Sequence, residues 1–417
     1  MSEKQVLAAL EITDHEIRLL VGEYYNTRVN VLRTEIVPNT GMDGLAIKNR
    51  TIVVNAIKEA INNASKALKV KIEKVLLLIP SYRFSKESIR LSKEIDNYNQ
   101  TVTIEDIQTL IRKGYTHPVG EDQVLINWVP VKYYTNRIAF KKPPIDENCN
   151  ILEIEMDLLS ADKLIAYDYT SAIEQAGIGV VDICLDCYAC AKETSLFEKS
   201  VENPTILIMV EGQATTLGFI KGGKLEACKL LNEGYSLWEK IVSQRYNVST
   251  SIVDKLIFQN VNLAVQSNDN SPIYLWKKDD NKTLQISEKE LQDTIKPALK
   301  HWAQEIKDSA IDLMKIKGVN ILLCGKGAEL DGLDSYLSRC LEIEAKTYYP
   351  DTIGAKESYW SGLLGAIYAF VDIYPLYRNK EMSVNQAAFL KINNRNSKAE
   401  EPEDSVSKKL HGFFQYK

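Results

Sequence analysis

The 417-residue chain reads as an α/β protein built from two similar lobes. Three observations lead there. A strand–turn–strand pattern occurs near the start and recurs about two hundred residues later. A helix follows each copy. Each copy also has, further on, a short strand that reads as buried. Paired hairpins with helices and further strands imply layered α/β lobes.

In the first copy, Gln5–Ile12 reads as a strand, Thr13–Glu16 as a turn, Ile17–Tyr24 as a second strand and Val29–Val37 as a third. A helix at Ile52–Leu68 and the apolar strand Val75–Ile79 follow. An insertion from about Arg83 to Asp162 has a helix at Thr103–Lys113 and strands at Val124–Tyr133 and Ile151–Leu158, which suits a compact α+β module. The second copy runs through strand Thr205–Glu211, turn Gly212–Ala214, strand Thr215–Ile220, turn Lys221–Gly223 and strand Lys224–Leu231. Its helix is Tyr235–Tyr246 and its apolar strand Val319–Cys324. A second insertion, about Tyr235 to Lys317, reads as mostly helical, with a polar turn at Gln266–Ser271 and a long amphipathic helix at Ser287–Lys315. The resulting division is 1–82 with 163–203 for the first lobe, 83–162 for the inserted module, 204–234 with 318–378 for the second lobe and 235–317 for the second insertion. A linker at 379–404 and a terminal helix at 405–417 complete it.

The terminal helix is the most telling segment. Val406, Leu410, Phe413 and Phe414 fall at i, i+4, i+7 and i+8 and share one face, with Lys408, Lys409 and Lys417 off that stripe. Ser405 or Ser407 can cap its start. The polar stretch Lys391–Asp404 before it, broken by Pro402, buries too little apolar surface to fold. A Phe-tipped helix with flanking lysines on a loose tether suits the lipid interface. One such helix anchors weakly, so firm attachment needs several copies acting together.

Composition narrows the rest. Hydrophobic content of 45% and charged content of 26% are ordinary for a globular protein. A net charge of −5 gives no support for nucleic-acid binding. No run of about 18 apolar residues is present, and MSEKQVLAALEI does not read as a signal peptide. Seven cysteines, an odd number in expected strands and helices, suit a reducing cytoplasm. Cys184, Cys187 and Cys190 are spaced like a cluster site, but no fourth ligand is near, and a strand entering a buried helix explains them better. His15, His117, His301 and His411 are scattered and suggest no metal site.

Taken in order, the motifs resemble the FtsA family of actin-like cell-division proteins. Leu10–Glu23, LEITDHEIRLLVGE, stands where that family has D-I-G-T-S-K-V-K-A-L-V-G-E. Ala46–Ile61 resembles its I-K-N-G-x-I-V-D segment, and VTIEDIQTLIRKG with QVLINWVPVKYYTN resembles the module that FtsA inserts in its first lobe. Ala172–Glu193 resembles E-x-A-G-L-x-V-x-D-I-V-L-E-P-L-A-S-A, and Leu322–Leu333 sits at the adenosine motif L-T-G-G-G-A-x-L-x-G-L. Ser358–Phe370 matches the closing helix, and the amphipathic tail matches the membrane-targeting helix. The resemblance implies the two-lobed fold of actin, Hsp70 and sugar kinases, with an FtsA-type inserted α+β module. It also implies a scaffold that tethers FtsZ to the cytoplasmic face of the membrane at the division site and self-assembles into filaments. FtsZ's C-terminal peptide would dock on 235–317, and the first-lobe module would serve self-association.

In that family the two turns clamp the phosphates of ATP. The residues that fall at the clamp are Glu11, Thr13 and Asp14 in the first turn, and Gly212, Gln213, Thr215 and Thr216 in the second. Gly325, Gly327 and Ala328 fall at the adenosine loop. The departures lie in the same places. Thr13 replaces a glycine, and a Cβ hinders close approach to phosphate. The family's D-I-G-G-G-T-T becomes Val210-Glu211-Gly212-Gln213-Ala214-Thr215-Thr216, with Val210 in place of the acid that organises magnesium. Glu211, next door in a strand, should point to the opposite face from Val210. Lys326 intrudes in the adenosine loop. These changes lead us to expect no ATP hydrolysis and no catalytic residue. ATP remains a candidate structural clamp, with little support for magnesium. Two other readings stay open: a pilus-assembly adaptor like PilM, which lacks the terminal helix, and an active actin-like ATPase or sugar kinase.

Overall fold

A computed structural model describes residues 4–277, 283–377, 381–384 and 389. The expected membrane helix at 405–417 and most of the expected linker at 379–404 lie outside the described residues.

The first lobe opens with β1 (Gln5–Ile12), β2 (Glu16–Tyr25) and β3 (Arg28–Pro38), an antiparallel meander. The strands β1 and β2 are apolar almost throughout because helices cover both faces of the sheet. Two short strands, β4 (Met42–Asp43) and β5 (Ala46–Ile47), lead into helix α1 (Arg50–Leu68). The Asn49 side chain caps α1 by accepting from the Ile52 amide, and Lys69 ends it in a left-handed conformation. Its Val53, Ile57, Ala60, Ile61 and Ala64 form one buried face. Strand β6 (Lys74–Ile79) then runs parallel to β1.

The inserted module follows: β7 (Ser85–Glu94), α2 (Ile104–Tyr115), β8 (Gln123–Thr135), β9 (Ile138–Phe140) and β10 (Ile151–Asp162). Its sheet order is β7-β10-β8-β9, and a capping box of Thr103 and Asp106 starts α2. The chain returns to the first lobe through α3 (Lys163–Gln175), β11 (Gly179–Leu185), α4 (Asp186–Glu193) and the short α5 (Leu196–Lys199).

The second lobe repeats the plan. Strands β12 (Thr205–Val210), β13 (Thr215–Lys221) and β14 (Lys224–Leu231) form a second antiparallel meander. The second insertion holds α6 (Tyr235–Tyr246), α7 (Thr250–Asn260), the hairpin β15 (Pro272–Lys277) with β16 (Thr283–Ser287), and α8 (Glu288–Met314). Then come β17 (Asn320–Cys324), α9 (Leu333–Leu341), β18 (Ala345–Thr347) and α10 (Ser361–Ile373). The two sheets have orders β3-β2-β1-β6-β11 and β14-β13-β12-β17-β18. In each, a three-strand meander is extended by two parallel strands.

Helices α4 and α10 join the halves. One core runs from the first sheet through both helices to Leu207, Met209, Ile220 and Leu225 of the second sheet. The other face of the second sheet packs under α6 to α9. The two joining helices approach so closely that a Cβ at Gly365 would collide with the Ala189 carbonyl. Cys184, Cys187 and Cys190 are buried at the β11–α4 junction and free, as the sequence led us to expect. The β15–β16 hairpin was not foreseen. Its strands are short, and Ile273 and Leu275 face outward, so no apolar alternation marks them.

Candidate functional site

The β1–β2 and β12–β13 turns face each other across the cleft between the lobes. A side chain closes the first turn, and a backbone hydrogen bond closes the second. The Thr13 hydroxyl accepts from the amides of His15 at 3.3 Å and Glu16 at 3.0 Å, and donates to the Glu16 carbonyl at 2.9 Å. A side chain thus closes the first turn where a glycine would have left amides available to an anion. Across the cleft, the Glu211 amide donates to the Ala214 carbonyl at 2.9 Å, and Gln213 Oε1 accepts from the Gly44 amide of the first lobe at 2.9 Å. His15 Nε2 lies 2.6 Å from Ser236 Oγ at the start of α6, another link between the lobes.

Between the turns lies Arg18, on β2 and only 1% exposed. It makes ion pairs with three glutamates. Its Nη2 and Nη1 donate to the two oxygens of Glu211 at 2.8 and 3.1 Å, in the fork-to-fork geometry of the strongest charged hydrogen bonds. Its Nε donates to Glu16 at 2.6 Å and its Nη1 to Glu11 at 3.2 Å. The Tyr359 ring covers the guanidinium at 5.1 Å. Burial, opposed by the Arg18 cation, pushes the Glu11 carboxyl up to about 8. Burial lowers the His15 pKa, but the adjacent Asp14 carboxylate outweighs it and holds the ring above its ordinary value.

The cavity between the turns is about 60 Å³ and is lined by Glu11, Thr13, Asp14, Glu211, Gln213 and Thr216, together with Tyr169 and Asp186. That is room for a few waters. An ordinary small-molecule site holds roughly 300 Å³ or more. Asp186 accepts from the Ser81 amide at 2.9 Å and the Ser81 hydroxyl at 2.5 Å, and burial raises its pKa.

The sequence-selected residues separate into groups. Glu11, Thr13, Asp14, Gln213 and Thr216 line the cavity. Thr215 does not: it alternates away from Thr216 on β13, is fully buried, donates to the Glu233 carbonyl at 2.7 Å and accepts from Trp302 Nε1 at 2.8 Å. Gly212 packs against the Asp14 carboxylate. Gly325 has φ +91°, and a Cβ there would sit 2.7 Å from Glu211 Oε1. Gly327 and Ala328 are buried against Val210 and the second-lobe core. Lys326 turns out of the loop to pair with Asp254 at 2.7 Å and lies over the Tyr235 and Phe258 rings. Glu211 does point away from Val210, but its face is the cleft, while Val210 fills the second-lobe core. The strand ends at Val210, so Glu211 opens the turn.

Arg18, Glu16 and His15 were missed as site residues. A signal was available: an arginine inside the apolar run Ile17–Val21 requires buried carboxylates. The scattered histidines were read as no metal site. Glu233, His301 and Glu305 do bring ligand atoms within 4.8 Å of one another, though His301 is solvent-exposed and lies 3.9 Å from Glu233 as an ion pair.

At about 60 Å³ the closed cavity is too small for a triphosphate, although its carboxylates are of the kind that bind magnesium. The cavity is lined by Glu11, Asp14, Asp186 and Glu211. Of these, Glu11 and Glu211 pair with the Arg18 guanidinium, and Glu211 does so in bidentate contact.

No protein-family model matches the chain. It is similar to proteins named cell division protein FtsA. One from Streptococcus pneumoniae is 20% identical over 361 residues, covering 85% of this chain and 78% of the relative. One from Enterococcus faecalis is 20% identical over 395 residues, covering 90% and 86%. One from Staphylococcus epidermidis is 23% identical over 376 residues, covering 88% and 79%. Among solved structures, it is similar to the PilM–PilN type IV pilus biogenesis complex, with TM-score 0.58, 14% identity and coverage of 87% of this chain and 98% of that one. It is also similar to MreB5 of Spiroplasma citri bound to AMPPNP, with TM-score 0.50, 13% identity and coverage of 89% and 98%. The fold is actin-like.

Proposed function

We propose that this protein is an actin-like scaffold of bacterial cell division that tethers FtsZ to the cytoplasmic face of the membrane and assembles into filaments. The observation that carries this reading is the similarity to FtsA proteins over 85% to 92% of the chain across four of those relatives. The terminal sequence adds to it, since its spacing of Val406, Leu410, Phe413 and Phe414 beside Lys408, Lys409 and Lys417 is that expected of an interfacial helix. Among the described residues no helix is long and apolar enough to cross a membrane. Attachment in this reading is therefore peripheral, and a filament supplies the many tails that make it firm. FtsZ's C-terminal peptide docks on 235–317, where a groove of about 450 Å³ runs between Leu263–Gln266, α8 and α9. In this account the cleft does not hydrolyse ATP.

The PilM likeness favours a second reading, a membrane-face adaptor that does not bind FtsZ. Pelleting with liposomes separates the two. The full chain should sediment with anionic liposomes and carry FtsZ down with it. Truncation after Asp404 should abolish sedimentation without lowering the melting temperature, and Leu410→Glu should act like the truncation. Sedimentation of the truncated chain would sink the tail assignment, and liposome binding without FtsZ capture would favour the adaptor.

A further inference from the structure

We infer that the chain supplies its own cleft ligand: Arg18 of the first lobe, gripped by Glu211 of the second, holds the lobes closed without a nucleotide. The inference rests on the cleft geometry and not on the cell-division reading.

The argument starts from solvation. A guanidinium at 1% exposure has given up its water, and keeping it charged requires carboxylates in contact. Two of them, Glu11 and Glu16, come from its own hairpin and would hold Arg18 in an open cleft equally well. Glu211 is different. It belongs to the other lobe, and its two oxygens meet Nη1 and Nη2 at 3.1 and 2.8 Å. Opening the cleft breaks this pair and no other of Arg18's ion pairs. In a site shielded from solvent such a pair is weakly screened. Its geometry is also fixed from behind. Gly325 leaves room for Glu211 Oε1, the Lys326 amide reaches the same oxygen at 3.4 Å, and Tyr359 lies over the guanidinium.

The rest of the cleft is arranged for closure on itself. The amides of His15 and Glu16 bond to the Thr13 hydroxyl. The Gly44 amide bonds to Gln213, and His15 to Ser236, both across the lobes. A polyphosphate entering between the turns would have to break the Arg18–Glu211 fork and then face Glu11, Asp14 and Asp186. Arg18 thus occupies, with one covalently attached cation, the role of a diffusible ligand that bridges two lobes. Closure becomes a property of the folded chain and is not regulated by a bound cofactor.

Hydrogen exchange on the full chain tests this at the amides of Thr13–Glu16 and Glu211–Ala214. In the wild-type protein, Mg·ATP should change exchange in neither turn. Glu211→Gln keeps the shape and removes the charge, and should speed exchange in both turns by about tenfold or more, as expected when one partner of a buried pair is lost. If that variant fails to fold, Glu211→Asp keeps the charge and withdraws it by one methylene, and should raise exchange in both turns by a smaller factor. Slowing of both turns by Mg·ATP in the wild-type protein would overturn the inference, as would a folded Glu211 variant with wild-type exchange in both turns.

Discussion

The two hairpins that face each other share a backbone plan and differ in chemistry. Counted back from the turn, Glu11 pairs with Arg18 across β1 and β2, and Met209 pairs with Thr216 across β12 and β13. The first hairpin buries a cation among carboxylates, whereas the second presents an apolar strand end and offers its charge, Glu211, only from the turn. Repetition fixed the sheet order in both lobes, but it did not make the turns equivalent. Across the cleft the hairpins are complementary in charge, on top of the apolar core through α4 and α10 that joins the halves.

Substitutions can break that complementarity in order of cost. The largest effect expected is at Arg18. Replacing it with Met leaves Glu16 and Glu211 facing each other without a cation, and urea unfolding should show a loss of about 3–5 kcal/mol. Val210→Asp separates the sequence reading from the structural one. The family pattern suggests that an acid there restores a magnesium site. The packing of Val210 in the second-lobe core instead makes it an unpaired buried charge, so the variant should lose about 3 kcal/mol or more and gain no magnesium-dependent stabilisation. A rise in melting temperature with magnesium would show that the turn can rearrange.

Stability should also depend on pH in a definite sense. Glu11 at about 8, Glu193, Glu239 and Glu329 at about 7, and Asp182 at about 6 are all raised by burial above their ordinary carboxylate values. A raised group contributes stability that is complete below its unfolded pKa, near 4.5 for glutamate, and is lost as pH rises through its folded value. Melting temperature should therefore fall from about pH 4.5 to about pH 8 and level off above that. Glu11→Gln, which stays neutral, should flatten the upper end of that fall, and an unchanged profile would contradict the assignment of Glu11. The smallest effect expected is from Gln213→Ala, which removes one hydrogen bond to the Gly44 amide and should cost about 0.5–1.5 kcal/mol by urea unfolding.

Much of the fold was legible because its signals are local and repeated. The turns at Thr13 and Gly212, the buried strands Val75–Ile79 and Val319–Cys324, and helix Tyr235–Tyr246 announce themselves through apolar runs and turn residues. The hairpin at Pro272–Lys277 and Thr283–Ser287 was not legible, since Ile273 and Leu275 on its first strand are apolar and yet face outward. The cleft was half legible. Its lining residues could be placed by motif, but a motif aligns positions and not directions. It matched Val210 to an acid without showing that Glu211 faces the cleft, and it selected Thr215 although Trp302 holds that hydroxyl inside the core. Arg18 makes an ion pair across the cleft and matched no glycine pattern, because its partner is 193 residues away.

The most direct test of the scaffold account is sedimentation of the full chain with anionic liposomes and purified FtsZ, with and without Mg·ATP. The account predicts that FtsZ pellets only when this protein is present, and in equal amount with or without nucleotide. FtsZ left in the supernatant, or capture that appears only with Mg·ATP, would contradict it.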